Sequence, residues 1–156
     1  MSAVVDCYST TARGTDENRT ASNIYADRVC NNFVKAALFS THVPRHLPVR
    51  VFDWACGKGG DFFKLMSFFP SMERYVGMDI TPKSIADFHE RTRDKRTPVN
   101  FHIRATDLMR EDLSGFRDFY VVTCQFAFHY FCATPSDMFA TLRSEEHTSE
   151  LQSRGL

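Results

Sequence analysis

Glycines and an acidic residue occur at a spacing that suits a nucleotide ligand. A hydrophobic run over residues 49–55 leads into Gly57 and Gly59, and a second apolar run ends at Asp79, about 20 residues further on. Glycine lets backbone approach a ligand closely because no Cβ intervenes. A carboxylate at this spacing meets a ribose hydroxyl in nucleotide-binding βαβ units. The order of strand, glycine turn, helix, strand and acid therefore predicts a site for a nucleoside-containing cofactor.

The glycine spacing excludes two common nucleotide motifs. A dinucleotide fingerprint requires Gly-x-Gly-x-x-Gly, and its third position is Phe62 in this chain. A P-loop requires glycine at the position of Phe52 and Ser or Thr after Lys58, where this chain has Gly59. The alternative, a strand-to-helix turn whose glycines serve packing alone, stays open at this point.

Helical and extended segments alternate along the chain, which predicts an α/β fold with a parallel sheet. The predicted strands cover residues 49–55, 75–80, 100–105 and 119–126. The predicted helices cover residues 24–39, 60–69, 82–93 and 135–142. The last strand is almost continuously apolar, as a strand buried on both faces is. On the first helix, the apolar positions expected to share a buried side are Ile24, Phe33, Ala37 and Leu38.

Length, charge and cysteine usage limit the class of protein. The 156 residues are 43% hydrophobic, which is enough for one domain with an ordinary core. The formal net charge is zero, so no bulk field holds a long nucleic acid, although the end of an RNA requires none. Five cysteines form no Cys-x-x-Cys pair, which argues against a zinc site or a disulfide framework. With no signal peptide and no membrane-length apolar run, we expect a soluble intracellular protein.

Four blocks of sequence occur in a specific order. The central block is Asp-Trp-Ala-Cys-Gly-Lys-Gly-Gly-Asp-Phe-Phe-Lys at residues 53–64, and the others are residues 28–35, 76–80 and 125–130. Together they resemble the messenger-RNA cap guanine-N7 methyltransferases, a family of S-adenosylmethionine enzymes, over roughly residues 24–142. The resemblance implies a Rossmann-like class I methyltransferase fold, in which helices flank a parallel sheet.

The resemblance also implies two groups of binding residues and no catalytic acid, base or nucleophile. The group that would bind S-adenosylmethionine is Lys35, Ala55, Gly57, Asp79, Asp107, Gln125 and Tyr130. The group that would bind the cap is Asn31, Asn32, Lys58, Lys64, Arg91 and His129. Within the first group, Lys35 would contact the carboxylate of the cofactor, Asp79 its ribose and Asp107 its adenine edge.

Residue types alone leave simpler alternatives for several of these positions. Asn31 and Lys35 lie four residues apart, as on a solvated helix face. On residue type alone, Asp107 could be an ordinary acid at the end of a strand, and His129 could be a histidine of the core. Solvated lysines would account for Lys58 and Lys64. The residues that make a local basic cluster suited to RNA phosphates are Arg91, Arg93, Lys95 and Arg96.

One position departs from the family pattern. The family usually has glycine where this chain has Ala55. If the backbone there approaches the methionine part of the cofactor, the added methyl group is expected to weaken binding modestly. Trp54 is also larger than usual at its place.

The function implied by the resemblance is methyl transfer from S-adenosylmethionine to N7 of the 5′-terminal guanosine of capped RNA. No metal and no membrane are expected. Further expected partners are the capping apparatus or RNA polymerase, and the expected location is the nucleus, with the cytoplasm as the alternative. Two rival functions stay open: a class I methyltransferase acting on a small molecule or a protein, and a non-catalytic relic that binds a cap or a partner.

The two ends of the chain carry separate expectations. Residues 1–22 are polar and without periodicity, which predicts a flexible arm. Residues 143–156 resemble the translation of a sequencing adapter, so residues 23–142 are expected to be a partial domain, truncated after about the fourth strand. Such an amino-terminal fragment is expected to be inactive by itself, with its fourth strand left as an open edge.

Overall fold

A four-stranded parallel sheet forms the centre of the fold. The computed structural model describes residues 25–95 and 97–148, so the predicted arm lies outside the described residues. The strands are β1 (Val49–Trp54), β2 (Met72–Asp79), β3 (Asn100–Ala105) and β4 (Val121–Thr123). The helices are α1 (Tyr25–His42), α2 (Gly60–Phe68), α3 (Pro82–Arg93), a 3-10 helix (Phe128–Phe131) and α4 (Pro135–Thr148).

The strand order β3-β2-β1-β4 places β1 between two partners. Every pairing is parallel, and Asp53 on β1 is level with Gly77 of β2 and Thr123 of β4. The carboxyl ends of the strands therefore meet at one edge of the sheet, where ligands of open α/β folds bind. The predicted fold class is confirmed.

Hydrophobic side chains fill both faces of the sheet. Along β1, Val49 and Val51 belong to one core, while Phe52 and Trp54 belong to the other, as the alternation of side chains along a strand requires. The first core lies under α2 and α3, and the second lies under the segment that joins β3 to β4 and under the 3-10 helix. Both faces are covered, which is the usual condition of a parallel sheet.

The predicted buried side of α1 is wrong. Phe33 is 71% exposed and Leu38 44% exposed, and Ala37 is also exposed; Ile24 lies outside the described residues. Instead Phe39 is buried against Phe68 and Phe69 at the end of α2. Apolar residues occur on more than one side of α1, so periodicity alone could not select the side that meets these aromatic rings.

The ends of three other elements differ from the prediction. β4 has three residues rather than the eight over positions 119–126. On its carboxyl side the chain enters a turn in which Phe126 has a φ of 61°, outside the extended range. α4 extends to Thr148, six residues beyond the predicted end at residue 142. β2 begins three residues earlier than predicted, whereas β1, α2, α3 and β3 agree to within one residue. Across the described ranges, no helix is both long and apolar enough to cross a bilayer.

Candidate active site

The turn between β1 and α2 has three residues with left-handed backbone in a stretch of five. Ala55, Gly57 and Gly59 have φ values of 57°, 55° and 71°. Hydrogen bonds fix the turn from both sides, because the Cys56 N–H donates to the Met78 carbonyl (3.0 Å) and the Gly59 N–H donates to the Cys56 carbonyl (3.1 Å). The chain thereby leaves β1 sharply and enters α2 above the carboxyl edge of the sheet.

Gly57 and Gly59 require glycine for different reasons. A Cβ on Gly59 would lie 2.7 Å from ring atoms of Phe88, so close packing against α3 excludes a side chain. A Cβ on Gly57 would meet no atom within 4 Å, and Gly57 is one of the residues that line a cavity. Gly59 therefore serves packing, whereas Gly57 leaves room beside the backbone for a ligand. The interpretation that both glycines serve packing alone is therefore wrong for Gly57.

Asp79, at the end of β2, is held in a fixed orientation. One carboxylate oxygen accepts the Gly57 N–H (2.9 Å) and the other accepts the Thr81 N–H (2.8 Å). Asp79 is 9% exposed and lines the cavity. A carboxylate has about four lone-pair sites, so each oxygen retains acceptor capacity for a ligand hydroxyl. The two oxygens together suit a vicinal diol.

A cavity of about 310 Å³ opens at the carboxyl ends of the strands. Six of the seven residues predicted to bind the cofactor line it, namely Ala55, Gly57, Asp79, Asp107, Gln125 and Tyr130. The seventh, Lys35, is not part of the lining. The sequence prediction therefore selected a group of residues that the fold brings together from four separate segments.

The motif-based prediction missed other parts of the lining. These residues are Ile80, Thr81, Ser84, Thr106, Leu108, Met109, Phe126, Ala127 and Phe131. Each of them lies within eight positions after the carboxyl end of β2, β3 or β4. Their location after a predicted parallel strand was a usable signal, since ligands gather there. The mixture of apolar walls with a few polar groups is typical of small-molecule sites.

Two polar side chains of the lining also make local hydrogen bonds. The Asp107 carboxylate accepts the Met109 N–H (3.1 Å) and forms an ion pair with Arg110 (3.5 Å), so it closes its own turn. The Gln125 side-chain N–H donates to the Thr123 hydroxyl (2.7 Å). Both side chains are therefore oriented before any ligand binds.

The residues predicted to bind the cap lie outside the cavity lining. Lys64 donates a hydrogen bond from Nζ to the Asn32 side-chain oxygen (2.7 Å), which joins α2 to α1. Asn31, next to it on α1, is half-buried. The Lys58 ammonium pairs with Asp87 (2.9 Å). Of these residues, Lys58 belongs to the glycine turn itself, whereas Asn32 and Lys64 join α1 to α2.

Arg91 lies against the glycine turn from α3. Its guanidinium donates to the Lys58 carbonyl and stacks over Phe63, 5.1 Å from the ring centroid. Lys95 contacts the same ring at 4.1 Å. Arg93 is exposed, and the fourth member of the predicted basic cluster, Arg96, lies outside the described residues.

His129 is exposed, so the interpretation as a core histidine is wrong. Its ring lies 3.9 Å from the Tyr130 ring, centroid to centroid. Tyr130 lines the cavity, which places the imidazole beside the cavity mouth. Whether His129 contacts a guanine remains a prediction.

Lys35 lies behind the wall of the cavity. Its ammonium pairs with Asp61 in the first turn of α2 and lies 5.1 Å from the Phe126 ring, and Phe126 is part of the lining. Lys64 also donates to Asp61, at 2.9 Å. Burial opposes the charge of Asp61, but the hydrogen bonds from the two lysines outweigh it and hold the pKa of this carboxyl below its ordinary value.

Asp53 is buried at the end of β1, where it accepts the Tyr75 O–H at 2.7 Å. Burial raises the pKa of Asp53 from 3.8 to about 7, against the lowering effect of the Tyr75 hydrogen bond. Burial also raises the pKa of the adjacent Cys56 thiol, so this cysteine stays protonated and unreactive. The part of the chain that the structure describes contains no cluster of three or more His, Cys, Asp or Glu that could hold a metal ion.

Comparison with known proteins identifies the family. Residues 1–152 match the family model described as the mRNA (guanine-N(7))-methyltransferase domain. The chain belongs to this family. The match includes the predicted blocks and also most of the segment after residue 142.

Plant members of the mRNA (guanine-N(7))-methyltransferase family are similar over most of the chain. The mRNA cap guanine-N(7) methyltransferase 1 of Arabidopsis thaliana is 32% identical over 143 residues, which are 81% of this chain and 36% of that protein. Its namesake in Oryza sativa subsp. japonica is 33% identical over 142 residues, 84% of this chain and 37% of that protein. The chain thus spans about a third of the length of these relatives. The predicted resemblance is confirmed.

Solved structures of other methyltransferases share the fold. The magnesium protoporphyrin IX methyltransferase of Synechocystis PCC 6803, solved with S-adenosylmethionine, superposes with a TM-score of 0.62 at 16% identity and covers 96% of this chain and 71% of its own. An S-adenosylmethionine-dependent methyltransferase of Clostridium acetobutylicum ATCC 824 gives a TM-score of 0.61 at 14% identity, covering 84% of this chain and 50% of its own. At this identity the likeness concerns the fold alone, which is that of class I methyltransferases.

Proposed function

We propose that the chain is the cofactor-binding part of an enzyme that methylates N7 of the 5′-terminal guanosine of capped RNA, with S-adenosylmethionine as methyl donor. One observation carries the proposal for a member of this family: six predicted cofactor residues line a single cavity. Of the predicted cap residues, Arg91 contacts Lys58 in the glycine turn that borders this cavity, and His129 contacts the ring of Tyr130 in its lining. Two ligands that react with each other need two adjacent binding regions of this kind.

The residues of the cavity fit the proposed cofactor. Asp79 offers two fixed oxygens to the ribose diol, and the open side of Gly57 leaves room beside the backbone. Ile80, Leu108 and Phe131 supply apolar walls for a planar base. The volume of about 310 Å³ lies at the lower end of the range of small-molecule sites. When bound, S-adenosylmethionine supplies a methyl group on a positively charged sulfonium.

The proposed reaction requires positioning rather than proton transfer by the protein. Guanine N7 carries a free lone pair at neutral pH, so no base has to remove a proton before the methyl group is transferred. Alignment of the two reactants can lower such a barrier substantially, and charge placed around the site contributes as well. On this proposal Asn31, Asn32 and His129 hold the guanine. We propose that the cap phosphates are bound by Lys58, Lys64 and Arg91.

Cofactor binding is tested by calorimetry with S-adenosylhomocysteine on the 156-residue chain. Asp79→Ala removes the proposed ribose acceptor, so the affinity should fall by about 1–3 kcal/mol, the range for hydrogen bonds to a charged group. Asp94→Ala, an exposed acid at the end of α3, serves as the control and should leave the affinity unchanged. Equal affinity of the Asp79→Ala protein, with its fold intact by circular dichroism, would remove Asp79 from the site.

Methyl transfer is tested with the protein encoded by the complete transcript, which sequencing of cDNA across codon 142 would recover. We propose that this transcript encodes a longer methyltransferase domain, that residues 143–156 are adapter-derived, and that the protein acts in the nucleus. Tritium should pass from S-adenosylmethionine to capped RNA and not to uncapped RNA. His129→Ala should lower this transfer while the cofactor affinity stays nearly constant. Transfer to a small molecule or a protein instead, or cap binding without transfer, would select one of the two rival functions.

A further inference from the structure

A polar cluster joins α1 to the first turn of α2 beside the cavity wall. We name it the Asp61 cluster; it consists of Asn32, Lys35, Asp61 and Lys64. Lys35 and Lys64 donate to different oxygens of the Asp61 carboxylate, and Lys64 also donates to Asn32 (2.7 Å). The side chains of Lys35 and Asp61 are only 12% and 14% exposed. Partly buried charge-assisted hydrogen bonds of this kind hold side chains more firmly than surface ion pairs do.

The Asp61 cluster is a main attachment of the middle of α1. In this helix Phe39 is the buried residue, and it packs near the carboxyl end. The exposed fractions of Val29 and Phe33 are 49% and 71%. Hydrophobic packing therefore fixes one end of α1, while the bonds to Asp61 and Lys64 orient the turn that carries Lys35.

The charges of the Asp61 cluster favour an anionic ligand. Two ammonium groups face one carboxylate, which leaves one positive charge within the cluster. The Lys35 ammonium is 5.1 Å from the ring of Phe126, and that ring lines the cavity. The proposed function puts the nucleoside of the ligand on Asp79, and the carboxylate at the other end of the ligand is the anionic group that this excess charge would attract.

We infer that Asp61 is a positioning residue that holds Lys35 for the carboxylate of the cofactor. The inference rests on the proposed function and adds a residue to it that does not itself contact the cofactor. Without the negative charge of Asp61, Lys35 loses its partner and its fixed rotamer, and the two lysines repel each other. The effect should then concern the amino-acid end of the ligand and spare the nucleoside end.

The test compares two ligands that differ at that end. S-adenosylhomocysteine carries the amino-acid group, whereas 5′-methylthioadenosine has the same nucleoside and thioether without it. Asp61→Asn adds one positive charge to the cluster, which by itself would favour an anion, but it also releases the Lys35 ammonium from its fixed position. We expect the loss of position to prevail, so the affinity for S-adenosylhomocysteine should fall by about tenfold or more, as when a charge-assisted hydrogen bond is lost. The affinity for 5′-methylthioadenosine should change by less than about twofold, within the additivity expected of a separate contact. Asp87→Asn is the matched control. It removes the charge of Asp87 on α3, which pairs with Lys58, and should leave the affinity for both ligands unchanged.

A second measurement separates positioning from general folding. Lys35→Met should reproduce the ligand selectivity of Asp61→Asn. The double variant should bind S-adenosylhomocysteine no more weakly than Lys35→Met alone, because both changes remove the same contact. A parallel loss for both ligands would assign Asp61 a structural role and overturn the inference. Unchanged affinity for S-adenosylhomocysteine in Asp61→Asn would overturn it as well. If the unchanged chain bound neither ligand, the proposed function itself would fail.

Discussion

The buried carboxyl of Asp53 should make the stability of the chain fall as the pH rises. Its pKa is raised from 3.8 to about 7, chiefly by burial, while Tyr75 and Lys35 favour the charged form and Asp61 and Asp79 oppose it. Between these two pKa values the folded chain binds one proton more than the unfolded chain. The contribution to stability is therefore complete below about pH 3.8 and is lost as the pH rises through about 7.

The size of the effect follows from the two pKa values. At about 1.36 kcal/mol per pH unit, the gap between 3.8 and about 7 corresponds to about 4 kcal/mol. Of this, about 2.5 kcal/mol should be lost between about pH 5 and about pH 8, since the slope flattens above the folded-state pKa. That is a large share of the total stability of an ordinary domain.

Asp53→Asn isolates this contribution. In the unchanged chain the Tyr75 O–H donates to the Asp53 carboxylate at 2.7 Å. In the variant the amide oxygen can still accept this hydrogen bond, but the side chain no longer titrates. Unfolding by urea can be followed through the fluorescence of Trp54, the single tryptophan, which is 3% exposed. The stability of the unchanged chain relative to Asp53→Asn should fall by about 2.5 kcal/mol from about pH 5 to about pH 8. Other titrating groups cancel in this difference.

A second variant checks the cause. Tyr75→Phe removes the hydrogen bond that lowers the pKa of Asp53, so the pH at which stability stops falling should move upward. A relative stability that stays constant within about 0.5 kcal/mol over the same pH range would refute the reasoning, because Asp53 would then titrate alike in the folded and unfolded chain.

Three further predictions concern the turn and the sheet edge. Gly59→Ala should lower the free energy of unfolding by about 2–4 kcal/mol, because the backbone there is left-handed and the new Cβ would meet Phe88. Gly60→Ala, which has open space around it, should cause no loss. Equal urea midpoints for the two variants would contradict this. Ala55→Gly should raise the free energy of unfolding by about 0.5–1 kcal/mol, because alanine is strained at a φ of 57°, and a loss in the same urea assay would show that this strain is absent. In the described sheet β4 pairs on one side only, so sedimentation should detect association that grows with concentration; a monomer at all concentrations would exclude an exposed edge.

Local signals predicted the centre of the fold well. Thr81 followed by Pro82 marks the start of α3, and the apolar run before the glycine turn marks β1. These elements are specified by residues within a few positions of each other, and the structure places them as predicted. The carboxyl ends of neighbouring parallel strands then bring the predicted cofactor residues together without further information.

Long-range packing decided what the sequence could not predict. The buried side of α1 depends on the rings at the end of α2, a contact between Phe39 and Phe69 across 30 positions of the sequence. The pairing of Lys35 with Asp61 likewise joins two helices. In the first turn of α2, Asp61 could be explained by the helix dipole alone, and nothing in its spacing from Lys35 showed that it also binds the lysine.

The left-handed backbone at Ala55 explains in physical terms why glycine is expected at this position. Glycine adopts a φ near 57° without strain, whereas the Cβ of an alanine in this conformation costs about 1–2 kcal/mol of steric strain. The conformation persists because β1 fixes the chain before it, and the Cys56 N–H to Met78 carbonyl bond and the Gly57 N–H to Asp79 carboxylate bond fix the chain after it. Strain that neighbouring contacts over-determine in this way is common at functional sites. The glycine expected at this position from the sequence resemblance is thus the residue that the shape of the turn favours, apart from any approach of a ligand to the half-buried Ala55.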